Sequence, residues 1–136
     1  MTQLTEHFSV KELTITNTGY DNSPTNEIIN NLQTLAQALE KVRTACGNKP
    51  IRILSAYRSP DVNHAVGGSK TSAHMKGLAA DCTVEGMTLK EIFKAIRESG
   101  IVYDQLIMEP TWIHFGLAEA PRKQNLIYDG KTYANA

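Results

Sequence analysis

The sequence predicts an α+β fold, a small and mainly antiparallel sheet packed with two main helices. Three observations carry the prediction. Apolar residues at Ile28, Ile29, Leu32, Leu35, Ala36, Leu39, Val42 and Cys46 recur at steps of three and four, the period of one helix face. Short runs rich in branched residues, Ile51–Ala56, Ala79–Val84, Tyr103–Met108 and Trp112–Leu117, have the length and composition of strands. Between the second and third of these runs, Thr88-Leu89-Lys90-Glu91 is a capping box, with Met87 and Ile92 placed as a hydrophobic staple. At 136 residues with 41% hydrophobic content, the chain has the size of a single domain spanning 1–136, enough to bury about two thirds of its unfolded surface.

In chain order, Ser9 can cap a brief helix of Val10 to Leu13, with Glu12 at the third helical position. The polar stretch from Thr14 to Asn22 reads as a loop. Ser23-Pro24 supplies a cap and a proline for the first turn of the long helix, and Gly47 supplies its stop. Its charged residues Glu27, Glu40, Lys41 and Arg43 read as a solvated face. After the Ile51–Ala56 strand, Pro60 to Val66 forms one or two helical turns, and Gly67 to Thr71 forms an exposed loop. The second helix carries Leu89, Ile92, Phe93 and Ile96 on its apolar face and ends by Gly100. Glu109-Pro110-Thr111 is short enough to join the next two strands as a hairpin. Finally, Asp129-Gly130 marks a turn between two short β-prone runs around Leu126 and Tyr133.

Lys+Arg and Asp+Glu both number 14, so no global field attracts nucleic acid and no polybasic stretch anchors a membrane. The first residues lack a charged and apolar leader, and no run of about 18 apolar residues occurs. Synthesis in the cytoplasm without a signal peptide, and no membrane insertion, are therefore expected. Cys46 and Cys82 form no CxxC pair, which excludes a cysteine-rich zinc site and predicts two buried free thiols. Strand alternation sets Cys82 on the face opposite Asp81. His7 and His64 fit no ligand pattern; His64 could reach a cleft, but with nothing to pair it with a ligand set it reads as a surface residue.

Asp81 interrupts an apolar strand, where a charge is costly unless it is paired or bound to a metal. His74 lies in the loop just before it, and alternation in Trp112-Ile113-His114-Phe115 places Trp112 and His114 on one face. Two imidazoles and one carboxylate supply, by number and type, the three protein ligands of a zinc site, with a fourth position left for water.

The pattern Ser72-x-His74-x-x-Gly77-x-Ala79-x-Asp81, followed by Trp112-x-His114, resembles the signature of the zinc D-alanyl-D-alanine peptidase family. That family includes murein carboxypeptidases and endopeptidases, phage endolysins and, more distantly, the hedgehog amino-terminal domain. The likeness extends through Ser55-x-Tyr57-Arg58-Ser59 and Asn63-x-x-Val66-Gly67-Gly68 and covers about residues 25 to 117. It implies a hedgehog/DD-peptidase-like fold with one zinc ion per chain on His74, Asp81 and His114. Glu109 is then the candidate general base, with Asp104 the alternative, although an offset of five residues from His114 would separate the two faces of an ideal strand. Arg58 is the candidate for binding a substrate carboxylate or polarising a carbonyl. Ser72 would donate to the peptide, while Tyr57 and Trp112, both substrate-binding candidates, either wall the cleft or pack in the core. The implied function is hydrolysis of D-amino-acid-containing stem peptides of peptidoglycan by a monomer acting on the cell wall. The small size looks like a phage or prophage endolysin. The alternative is a non-catalytic, zinc-stabilised binding or phage structural module of the same fold.

Overall fold

Ser9 starts the first element of the computed structural model, which describes residues 2–136, by accepting the Glu12 N–H at 3.1 Å ahead of the single turn α1 (Val10–Leu13). The long helix α2 (Asn26–Ala45) begins two residues later than Ser23-Pro24 suggests. Thr25 is its cap, with its hydroxyl accepting from Ile28 N–H, because Asp21 Oδ1 already holds both the N–H and the hydroxyl of Ser23. At the other end Gly47 takes φ +73°, Gly47 N–H reaches Thr44 O at 3.1 Å and Asn48 N–H reaches Arg43 O at 2.9 Å. This pair of bonds is a Schellman stop.

Strand β1 (Ile51–Ser55) leads into α3 (Pro60–Ala65), capped by Ser59. A 3-10 turn over Ala73–Lys76 precedes β2 (Ala79–Val84), and the Thr88–Glu91 capping box, complete in both directions, starts α4 (Leu89–Arg97). Strands β3 (Gln105–Met108) and β4 (Ile113–Gly116) form the expected hairpin. They are followed by β5 (Gln124–Tyr128) and β6 (Tyr133–Asn135), joined by the Asp129 turn.

All six strands make one sheet in the order β1-β2-β4-β3-β5-β6, antiparallel except for the β3–β5 pair. One face is the core: Ala80, Cys82, Leu106, Ile113 and Phe115 meet Ile92, Phe93 and Ile96 of α4 and Leu32, Leu35, Leu39 and Val42 of α2. Cys82 is on this side, opposite Asp81, and both thiols are free and buried.

Cross-strand partners share a face, so register reads out the other side in rows. One row is Ser55, Asp81, His114, Ile107 and Leu126. A neighbouring row contains Ala79, Gly116, Gln105 and Gln124. On the opposite flank Glu109 stands against Trp112, its N–H bonded to Trp112 O at 2.9 Å.

One surface expectation needs correction. Glu40 is no bare solvated charge, because its carboxylate accepts from Thr5 Oγ1 at 2.7 Å and from the His7 backbone N–H at 2.7 Å, with His7 Nδ1 also at 2.7 Å. It ties the start of the chain to α2. The sequence separation of more than thirty residues hides this tie from any helical pattern.

Candidate active site

Asp81 and His114 are direct neighbours across β2 and β4, and this brings two of the three candidate ligands together. His74 arrives from the turn before β2. Ser72 Oγ caps that turn by accepting His74 N–H at 3.1 Å, and Gly77 ends it at φ +73°. A side chain at Gly77 would also press on Ile28 and Leu32 of α2. The segment just after β1 clamps the same histidine: Arg58 N–H donates to His74 O at 3.0 Å, and His74 Nδ1–H donates to Ala56 O at 2.7 Å.

That last bond puts a proton on Nδ1, since a carbonyl only accepts. With Nδ1 so committed, Nε2 is the ring atom that faces Asp81 Oδ1, 3.3 Å away, and His114 Nδ1 lies 3.0 Å from the same oxygen. The two imidazole rings meet edge to face with centroids 5.2 Å apart. All three ligand atoms lie within 4.8 Å of one another. Tetrahedral ligands held about 2.0–2.1 Å from a zinc ion stand roughly 3.3 Å apart, so the donor set fits that ion in kind and in spacing.

Burial alone would raise the Asp81 carboxyl, but hydrogen bonds from His114 and His74 and the charge of both rings more than offset it. The group is held well below the usual carboxylate range and stays ionised. Its second oxygen, Oδ2, accepts from Arg58 NH2 at 3.1 Å. Arg58 Nε donates to Ser55 Oγ at 3.1 Å and NH1 to Asn63 Oδ1 at 3.4 Å, so three of the five guanidinium N–H groups are used.

The ligand cluster sits between two clefts. The larger, about 860 Å³, is lined by His114, Glu109, Ser72, Lys76, Asp104 and Tyr133, among others. The second, about 540 Å³, is lined by Asp81, Arg58, Trp112, Leu54, Ile15 and Val66 and neighbouring residues. Glu109 and His114 thus share a cleft, and Arg58 and Trp112 share the other. Tyr57 lines neither. Its ring is buried in the core cluster, while its backbone bonds to Leu13 O and to the Asn22 amide.

Glu109 is partly buried, and desolvation raises its pKa, opposed by His114 and reinforced by Asp81. Asp104 is already engaged by Arg122: its Oδ1 accepts the Arg122 backbone N–H at 3.0 Å and Nε at 2.8 Å, and its Oδ2 accepts NH2 at 2.8 Å. His7 bonds to Glu40, and His64 is exposed.

Two buried amides organise this region. Asn22 donates to Thr14 O and Tyr57 O, both at 2.9 Å, and accepts Ser59 N–H at 2.7 Å. It lies in a stretch read only as a loop, with no signal to single it out. Asn63 donates to Ser69 O at 2.9 Å and accepts from Arg58, so its place beside the glycine pair was a usable sign.

The family model described as Peptidase M15 matches residues 6–116 of the chain. Among curated proteins, the chain is 40% identical to the peptidoglycan L,D-endopeptidase MepK of Escherichia coli strain K12, over 40% of this chain and 35% of that protein. It is 37% identical to the zinc D-Ala-D-Ala carboxypeptidase of Streptomyces albus G, over 46% of this chain and 24% of that protein. The chain therefore spans about a third and a quarter of the length of these two relatives.

Proposed function

The chain belongs to the peptidase M15 family, and from that membership we propose that it is a zinc-dependent peptidase hydrolysing D-amino-acid-containing stem peptides of peptidoglycan. The observation that carries the reading is the convergence of His74 Nε2, Asp81 Oδ1 and His114 Nδ1 beside a cleft that Glu109 also lines. One zinc ion per chain, held by these three side chains, would supply Lewis-acid polarisation of the scissile carbonyl and of a water molecule.

The chain's own residues do the remaining work. Glu109 takes a proton from the attacking water on its carboxylate and returns it to the departing amine nitrogen. A carboxyl group raised by burial suits a group that must hold a proton partway through and then release it. Arg58 fixes Asp81 through Oδ2 and keeps two N–H groups for a substrate carboxylate or for the developing oxyanion. Ser72 is left with its hydroxyl hydrogen for the peptide, because its oxygen already accepts from His74 N–H. Trp112 offers an apolar wall beside Arg58. Tyr57 contributes through the backbone that delivers Arg58.

The finer reading is a carboxypeptidase or endopeptidase acting as a monomer at the cell wall. An endolysin role demands that intact sacculi be cut as well as soluble muropeptides. Zinc-loaded and chelated protein are incubated with purified sacculi and with defined muropeptides, and the new amine termini are identified. Release of terminal D-Ala marks a carboxypeptidase, and an internal amine marks an endopeptidase. No new terminus with zinc-loaded protein removes the catalytic reading in favour of a zinc-stabilised binding module.

A further inference from the structure

The family match ends at residue 116, yet the larger cleft is walled beyond that point by Leu117, Glu119, Arg122 and Tyr133. Tyr133 opens β6 and is 59% exposed, the profile of a ring that the core does not use. Register shows what it stands beside. Ile107 pairs with Leu126 and Met108 with Ile127, so continuing the parallel ladder sets Tyr128 next to Glu109; Tyr128 in turn pairs with Tyr133. The two tyrosine rings pack with centroids 4.5 Å apart and planes 31° from parallel. Trp112, Glu109, Tyr128 and Tyr133 thereby form one row across three hairpin and ladder contacts, with the candidate base in its middle.

We propose that Tyr133, held in place by Tyr128, is a substrate-contacting residue whose ring forms a platform for the stem peptide beside Glu109 and whose hydroxyl donates to a peptide carbonyl. The inference rests on the peptidase reading for the identity of the ligand. A tyrosine suits the task because it offers a large rigid apolar face and a polar tip at little entropic cost. Partial burial, and then the charges of Glu109, Tyr128 and Asp81, hold the phenol above its ordinary value, so it remains a donor at neutral pH. Elsewhere on the cleft lining, Lys76 has no acidic partner among the described residues. A peptide bearing a free carboxylate thus finds a cation and an aromatic platform within one cleft.

The test measures affinity for a soluble disaccharide-tetrapeptide by calorimetry, on zinc-loaded Glu109→Gln protein so that turnover does not consume the ligand. Tyr133→Ala and Tyr133→Phe are made in that background and in the wild type. The Ala variant is expected to bind roughly tenfold more weakly and the Phe variant a few-fold more weakly, with melting temperature and zinc content equal to the parent's. KM on muropeptides should rise in step. Tyr133→Leu, which keeps apolar bulk on the edge strand, replaces the Ala variant should that one fail to fold. If the wild type cuts muropeptides and the ring-deleted variant matches its parent in affinity and KM, the platform is overturned and the peptidase reading stands. Weakened binding alongside a zinc-loaded wild type that cuts nothing overturns the peptidase reading and supports the platform. A parent protein that binds no muropeptide, together with a wild type that cuts none, overturns both; where the wild type cuts, an unchanged KM in the ring-deleted variant alone overturns the platform.

Discussion

Glu109 and Trp112 face each other across the β3–β4 hairpin, with Glu109 N–H donating to Trp112 O at 2.9 Å. The pair continues the register that sets Ile107 against His114, so Glu109 leaves the same face of the sheet as His114. Five residues along one strand would have separated them. Across a hairpin the count runs through the partner strand, and the parity is restored.

This placement predicts the behaviour of Glu109→Gln. The amide keeps the size of the side chain but cannot take a proton, so hydrolysis of muropeptides should fall by about 10²- to 10⁴-fold. Zinc content measured by elemental analysis should match the wild type, because Glu109 is not one of the three residues, His74, Asp81 and His114, whose side chains could hold the ion. Unchanged turnover would remove Glu109 from the mechanism.

Gly68 should be far less replaceable than its neighbour Gly67. A Cβ at Gly68 would collide with Asn63 Oδ1 and lie 2.7 Å from Asn63 Cγ and 3.1 Å from Arg58 NH1. To make room, Asn63 would have to give up its bonds to Ser69 O and Arg58. Gly68→Ala should therefore cost about 1–3 kcal/mol in denaturant unfolding and slow hydrolysis through Arg58. At Gly67, with φ +71° and nothing within 4 Å of a Cβ, only the left-handed backbone is penalised, about 1 kcal/mol. Equal costs at the two positions would contradict the packing argument.

The cluster of His74, Asp81 and His114, the candidate ligands, was legible because each sits in a short stretch where local rules suffice: alternation in β2 and β4, and a capped turn for His74. Residues whose role depends on a distant partner were not. Asp104 reads in sequence as an alternative base, but Arg122, eighteen residues on, occupies it. Tyr57 stands beside Arg58, and only the packed core shows that its ring turns inward. The helix start slipped by two residues because Ser23 and Thr25 are both capable caps, and Asp21 decides between them. Parallel pairing of β3 with β5 has no local signal, since the seven residues between β4 and β5 carry no helix to announce a crossover.

Both thiols should be silent in the folded protein. Cys82 is fully buried, and desolvation, followed by the charges of Asp81 and Cys46, pushes its pKa up to about 12. Cys46 is also raised by burial. Reaction with a disulfide reagent at pH 8 should label neither cysteine in native protein and both after denaturation. Rapid labelling of either one in the native state would show that the core opens around β2 or the end of α2.

The Asp104–Arg122 pair should make stability depend on pH in one specific window. Hydrogen bonds from the Arg122 side chain hold the Asp104 carboxyl below its ordinary 3.8, against the opposing effect of burial. A carboxyl depressed on folding contributes stability that is complete above the unfolded value and is lost as pH falls through the folded one. The melting temperature of Asp104→Asn should therefore lie below the wild type's by a constant margin from pH 7 to about 5, and the two should converge below 3.8. The margin is modest, because Arg122 is solvated. The same variant separates two roles for Asp104. As a base it would abolish turnover as completely as Glu109→Gln. As the clamp on the segment entering β5, where Lys123 N–H bonds to Tyr103 O and Gln124 N–H to Asp104 O, its loss should lower stability while hydrolysis persists.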